Sequence, residues 1–125
     1  METVKIEPRE ITAHQVSRIL EVSFNDGMIF KLPYEYLRVY TPSAEATGHG
    51  PGQEILQVNK EDVTITEVKP IGNYAIAPVF SDGHTTGIYT WDFLYQLGVE
   101  QERLWADYLR KLAEQGYQRQ DITHH

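Results

Sequence analysis

The sequence predicts an α+β fold: antiparallel β-hairpins in one or two small sheets, two short helices and a C-terminal α-helix. Two Asp-Gly pairs, Asp26-Gly27 and Asp82-Gly83, each stand between apolar runs rich in β-forming residues. Glycine adopts the positive φ that a tight turn requires, so each pair predicts a hairpin. A short aromatic segment with helical spacing follows each hairpin, and a longer amphipathic segment lies near the C-terminus.

The first half of the chain is predicted to hold strands and one short helix. The first hairpin joins residues 19–24 to residues 28–32, and Pro33 then suits the first turn of a helix over residues 34–40. Apolar residues among polar neighbours indicate an earlier strand around Val4, Ile6 and Ile11.

A long polar loop follows the first helix. Residues 41–53 are rich in glycine and proline and show no apolar period. Loops of this length in small domains are usually functional or mobile, so the segment is a candidate for function.

The second half returns to strands. Apolar alternation predicts strands at residues 63–66 and 74–80, and a return strand over residues 84–89. Pro78 cannot donate a backbone hydrogen bond, so we expect it at a sheet edge or a bulge.

Two helices complete the chain. Thr90 is the predicted N-cap of a helix over residues 91–97. The C-terminal helix is predicted to end at Gly116 in a left-handed cap. Its apolar face comprises Leu104, Trp105, Tyr108, Leu109 and Leu112.

The two hairpin units resemble each other. Residues 24–27 (Phe-Asn-Asp-Gly) and residues 80–83 (Phe-Ser-Asp-Gly) each precede a strand and then an aromatic-acid-aromatic-leucine segment. The second unit has one extra residue, which we assign to Gly87. Two units predict a pseudo-symmetric core, although short patterns of this kind also arise by chance.

Length and composition limit the class of protein. The 125 residues suit one domain, which we place at residues 1–116, followed by a polar flexible tail at 117–125 that ends in two histidines of no assigned role. The absence of cysteine excludes disulfides and thiolate metal sites. A formal charge of -7 argues against nucleic-acid binding. No apolar run is long enough for a membrane span and no secretory signal is evident, so we expect a cytoplasmic protein.

Motifs for common enzyme chemistry are mostly missing. Residues 48–53 are glycine-rich, but they lack the Gly-Lys-Ser/Thr ending of a phosphate loop, and no Gly-x-Ser-x-Gly elbow is present. A Ser-His-Asp triad stays open on sequence alone, because its members occur in any order. Its candidates are Ser43, His49 or His84, and Asp82.

The histidines do not fit an iron oxygenase site. That site usually needs a histidine two residues before an acid, and none of His14, His49 and His84 has this spacing. His84 beside Asp82 is either a turn histidine bonded to backbone or a contact to a ligand or partner.

A dense set of aromatic residues flanks the two hairpins. We expect most of them in the core, because aromatic side chains supply much of the buried area of a small domain, although an exposed patch for a protein partner is the alternative. The set comprises Tyr34, Tyr36, Tyr40, Tyr89, Trp91, Phe93 and Tyr95.

Several short motifs together resemble the DUF971 family, also called the gamma-butyrobetaine hydroxylase-like N-terminal domain. The motifs are Leu37-Arg38, Ser43-Ala44-Glu45, Gly48-His49-Gly50, residues 71–75 (Ile-Gly-Asn-Tyr-Ala), Asp82-Gly83-His84 and residues 87–94 (Gly-Ile-Tyr-Thr-Trp-Asp-Phe-Leu). The resemblance covers about residues 5 to 97. Domains of this family stand alone in bacteria, precede the catalytic jelly roll of carnitine-synthesis dioxygenases, or are fused to Mrp-type P-loop ATPases of iron–sulfur cluster delivery.

The resemblance implies a zinc corner whose ligands are largely missing here. In the dioxygenases three cysteines and a later histidine hold zinc, and their positions fall on Thr41, Ser43, Ala46 and His84. Hydroxyl groups replace thiolates poorly and alanine has no ligand atom, so we expect the chain to fold without metal or other cofactor. His49 joining His84 in a weak site is the remaining alternative.

The resemblance also implies a non-enzymatic binding or adaptor module whose partner is an oxygenase, a P-loop ATPase or a second copy. The two segments equivalent to the zinc corner should be neighbours, and they form the expected contact surface. Its polar residues are Arg38, Ser43, Glu45, His49, Asp82 and His84.

Two other functions stay open at this point. One is an accessory factor that docks to a P-loop ATPase in iron–sulfur metabolism, which rests on analogy alone. The other is a small histidine-dependent enzyme that uses His84 and Asp82.

Overall fold

A computed structural model describes residues 5–42, 58–84 and 87–118 of the protein. Two three-stranded antiparallel sheets and three helices make up these residues, which confirms the predicted α+β class. The first half consists of β1 (Pro8–His14), β2 (Ile19–Phe24), β3 (Ile29–Pro33) and α1 (Tyr34–Val39). The second half consists of β4 (Ile65–Ile71), β5 (Ala75–Phe80), β6 (Tyr89–Thr90) and α2 (Trp91–Val99). The C-terminal helix α3 spans Gln101–Glu114.

The two Asp-Gly turns have the same hydrogen bonds. The N–H of Phe24 donates to the carbonyl of Met28 at 2.8 Å, and the N–H of Phe80 donates to that of His84 at 3.0 Å. Gly27 and Gly83 adopt φ of 93° and 91°, which explains why glycine follows the aspartate in both turns.

The likeness of the halves extends beyond the turns. The first strand of each half carries a bulge next to the residue that pairs with the phenylalanine of the turn. Each half therefore has β-β-β-α order with matching irregularities, which gives the repeated sequence pattern a structural basis.

Helix α1 lies at the centre of the molecule. All six of its residues are buried, because both halves and α3 pack around it. Tyrosine hydroxyls anchor it: Tyr36 donates to the carbonyl of Leu97 at 2.6 Å, and Tyr108 donates to the carboxylate of Glu35 at 2.8 Å. Buried tyrosines need such partners, so these bonds fix how α2 and α3 dock on α1.

The expected aromatic core is present in the described residues. The two sheets and α1 supply most of the buried apolar side chains, including Tyr34, Tyr36 and Tyr89. Tyr40, Trp91, Phe93 and Tyr95 are half-buried against the same core.

Several predicted boundaries require correction. The strand predicted from residue 63 begins at Ile65, and the predicted return strand from residue 84 is confined, among the described residues, to Tyr89–Thr90. Pro78 lies in the central strand β5, yet β6 pairs only with Ala75 and Ile76, so Pro78 has no partner from that strand. A central strand thus accommodates the proline because its neighbour is short.

The predicted helix caps are confirmed. The Thr90 side chain accepts a hydrogen bond from the N–H of Phe93 at 3.2 Å, and Gly116 adopts φ of 79° after α3. None of the helices in the described part of the chain has the length and apolarity to cross a bilayer.

Candidate functional site

The end of α1 meets the turn of the second half in a cluster of charged side chains. Arg38 Nε lies 2.9 Å from Asp82 Oδ2, and Lys60 Nζ lies 2.7 Å from the same oxygen. The other oxygen, Oδ1, accepts from the backbone N–H of His84 at 3.2 Å. The Arg38 side chain is 2% exposed and that of Asp82 is 25% exposed, so this carboxylate links a buried cation to the surface.

The surroundings of Asp82 stabilise its ionised form. Burial by itself would raise the pKa of this carboxyl, but hydrogen bonds from Lys60, from the N–H of His84 and from Arg38 outweigh it and lower the pKa to about 2. A carboxylate with so low a pKa is a weak base near neutral pH. The geometry suits a structural anchor better than a general base.

A second contact joins the same two segments. Thr41 Oγ1 is hydrogen-bonded to His84 Nε2 at 3.0 Å, and both side chains are buried. The Tyr89 hydroxyl donates to the carbonyl of Leu37 at 2.5 Å, and burial raises the pKa of this tyrosine. A Cβ added at Gly87 would lie 2.5 Å from Thr41 Oγ1. The corner is therefore closely packed, and glycine at position 87 leaves room for the threonine.

The donor set of this corner does not fit structural zinc. Of the four positions that the resemblance equates with zinc ligands, Thr41 supplies a hydroxyl and His84 one imidazole, whereas structural zinc is normally held by four thiolate or imidazole ligands. No group of three or more histidine, cysteine, aspartate or glutamate side chains suited to a metal occurs in residues 5–42, 58–84 and 87–118. Ser43, Ala46 and His49 lie outside the described residues.

The structure brings together Arg38, Thr41, Asp82 and His84 from the predicted set. Ser43, Glu45 and His49 lie outside the described residues, so the full contact surface stays a prediction. Arg38 and His84 are buried, so their place is beneath the surface, and the more accessible charges of the cluster are Asp82 and Lys60.

Sequence reasoning missed the roles of two residues at this corner. Lys60 carried no local signal, because it lies outside every predicted element. Gly87 was noted as the extra residue of the second unit, and that insertion marks the place where the Thr41 side chain needs space.

The comparisons with known proteins agree with this architecture. The family model "Gamma-butyrobetaine hydroxylase-like, N-terminal" matches residues 11–95, and the chain therefore belongs to that family. It is similar to a protein of unknown function of the DUF971 family from Acidithiobacillus ferrooxidans, with 41% identity over 74% of this chain and 92% of that one and a TM-score of 0.63.

Two solution structures are similar over more of the chain. Each is 38% identical; one match covers 94% of this chain and 96% of the other with a TM-score of 0.77, and the second covers 100% and 97% with a TM-score of 0.79. A search of curated proteins found no match.

Proposed function

We propose that the protein is a non-enzymatic binding module, with a contact surface formed by the Asp82 turn and the segment after Thr41. One observation carries the proposal: an ion pair from Arg38 and a hydrogen bond from Thr41 join the end of α1 to the Asp82 turn, at the place where the family resemblance implies a metal corner. The ion pair and the hydrogen bond take the place of a metal centre, so the residues present can hold the corner together. A hydrogen-bonded corner with an accessible charge suits protein recognition.

The chemistry of the cluster supports binding over catalysis. The carboxylate of Asp82 is engaged by Arg38, Lys60 and a backbone N–H, and its low pKa makes it a poor proton acceptor. The buried His84 imidazole is bonded to Thr41. These groups stabilise one another, which is typical of a scaffold that presents neighbouring residues to a partner.

The test is quantitative cross-linking and affinity purification from the native host. The wild-type chain is compared with a Glu45→Ala/His49→Ala variant and with a matched Glu102→Ala/Arg103→Ala variant on the exposed face of α3. We expect a partner that binds the wild type and the α3 variant but is depleted with the loop variant. Equal recovery of the partner with all three chains would show that the partner binds a different surface. A turnover activity that disappears in His84→Ala but persists in the loop variant would show an enzyme.

A further inference from the structure

A groove separates the outer strands of the two sheets. In the described residues, β1 and β4 are each one of the two edge strands of their own sheet. The groove between them has a volume of about 420 Å³. Its lining is mostly apolar and includes Ile11, Ala13, Ile65, Val68 and Ile76.

The strand registers show where the backbone groups of β1 point. The N–H of Phe24 donates to Met28 in the β2–β3 hairpin, so alternate residues of β2, beginning at Phe24, face β3 and the others face β1. Ile11 and Ala13 pair with β2 residues that face β3. The N–H and C=O groups of Ile11 and Ala13 therefore point outward from the β1 edge.

The same argument applies to β4. The N–H of Phe80 donates to His84, so Pro78 and Ile76 face away from β4, and their β4 partners Val68 and Pro70 direct their backbone groups outward. Pro70 has no N–H to offer. The β4 edge thus supplies fewer donors than the β1 edge, which makes β1 the better template.

One end of the groove is closed by a side chain. Gln15 Nε2 donates to the carbonyl of Ile65 at 2.9 Å, and Gln15 Oε1 accepts from the Thr64 hydroxyl at 3.1 Å. From Ile65 to Pro70 an extended strand runs about 16 Å, which matches a ligand of about five extended residues.

Charge further restricts the occupant. Glu67 is the one charged residue among the described residues that line the groove, and it is exposed. A strand-like ligand with a lysine or arginine beside Glu67 complements this charge, and the net charge of -7 on the whole chain favours the same sign.

We infer that the groove binds an extended, basic peptide segment of a partner protein, which adds as a strand to β1. Main-chain hydrogen bonds to Ile11 and Ala13 hold the segment, alternate apolar side chains cover the groove floor, and a basic side chain pairs with Glu67. This site goes beyond the proposed function, since its lining residues are distinct from Asp82, His84 and Thr41.

The inference is tested by NMR titration of the full chain, labelled with ¹⁵N, with the capped peptide Thr-Val-Lys-Val-Thr-Val. We expect shifts centred on the amides of Ile11, Ala13 and Val68. Two control peptides carry glutamate in place of lysine, or N-methyl groups at alternate residues. The glutamate peptide should bind on the order of fivefold more weakly, as for a surface ion pair, and the methylated peptide should lose binding because it lacks donors.

A charge-reversal variant supplies the second arm. Glu67→Lys should invert the preference between the lysine and glutamate peptides, whereas the matched Glu102→Lys variant on α3 should leave it unchanged. Absence of shifts at millimolar peptide, equal binding of the methylated peptide or an unchanged preference in Glu67→Lys would overturn the inference. Shifts in the same amides that depend on protein concentration without peptide would assign the groove to a second copy instead. None of these results bears on the Glu45→Ala/His49→Ala variant that tests the proposed function, so either proposal can be wrong without affecting the other.

Discussion

The Arg38 guanidinium in α1 donates to the Asp82 carboxylate across the boundary between the two halves of the chain, with 2.9 Å between Nε and Oδ2. Tyr95 occupies the equivalent position in α2, and its hydroxyl donates to Asp26 Oδ2 at 2.6 Å. Each Asp-Gly turn is therefore bound by the helix of the opposite half. The two contacts differ in character, because Arg38 is buried and charged whereas Tyr95 is partly exposed and neutral.

Removing the negative charge from Asp82 should destabilise the fold. We expect Asp82→Asn to lower the free energy of unfolding by about 2 kcal/mol, because hydrogen bonds to charged groups are lost at a buried arginine. Asp26→Asn is the matched control in the equivalent turn, and it should cost less, since its partner is a neutral hydroxyl near the surface. Urea unfolding measures the free energy of unfolding of both variants. An equal loss in the two would contradict the claim that the Arg38–Asp82 contact contributes more than the Tyr95–Asp26 contact.

The same carboxylate should make stability depend on pH in the acid range. Its pKa in the folded protein is about 2, below the ordinary value of 3.8 for an aspartate, so its contribution to stability is present above about pH 4 and is lost as the pH falls towards 2. The difference in unfolding free energy between wild type and Asp82→Asn should shrink by about 1 kcal/mol over that interval, after allowance for partial exposure.

Unfolding of both proteins at a series of pH values tests this. Hydrogen bonds also lower the pKa values of Asp26 and Asp107, chiefly those from Tyr95 and Arg110, and these shifts act in the same direction. They are common to both proteins and cancel in the difference. A difference that stays constant from pH 5 to 2 would show that Asp82 has no depressed pKa.

Packing at the Thr41 corner gives a prediction for a glycine. Gly87→Ala should cost about 2 kcal/mol, because the new Cβ would lie 2.5 Å from Thr41 Oγ1 and 3.1 Å from a Tyr89 ring carbon. In a Thr41→Ala background the contact between the new Cβ and Thr41 Oγ1 disappears, so Gly87→Ala should lower the free energy of unfolding by clearly less. Thermal unfolding of the double-mutant cycle measures the coupling, and strictly additive effects would exclude the contact.

Zinc binding should be recoverable by substitution if the resemblance aligns the corner correctly. The combined variant Thr41→Cys, Ser43→Cys and Ala46→Cys, with native His84, should bind zinc tighter than about 1 µM, because three thiolates and one imidazole form a complete tetrahedral set. Competition with a chromogenic chelator measures the affinity. The same variant carrying His84→Ala should bind more weakly, and identical affinities would remove His84 from the ligand set.

Local chemistry explains which parts of the fold were predictable. The two Asp-Gly turns, the Thr90 cap and the Gly116 stop depend on backbone preferences of one or two residues, and all four occur where the sequence placed them. The short β6 was overestimated, because strand length depends on the pairing partner and local alternation does not encode it.

The site was predictable only because the family resemblance paired the segment after α1 with the distant Asp82 turn. Arg38 and Asp82 are 44 residues apart, and no local pattern connects them. The groove between β1 and β4 was not foreseen, since edge status follows from the order of strands in the sheets. Such relations arise from tertiary packing and appear only when both halves are assembled.

The helix of each half binds the Asp-Gly turn of the other half, so neither half has all its contacts when it stands alone. A half-length chain on its own would present Asp26 without Tyr95 and Arg38 without Asp82. A second copy of the same half would carry neither partner, although its own Asp26 and Arg38 occupy the equivalent positions. Each half therefore depends on the other, and a defect introduced into the helix of one half is expected to loosen the turn of the other.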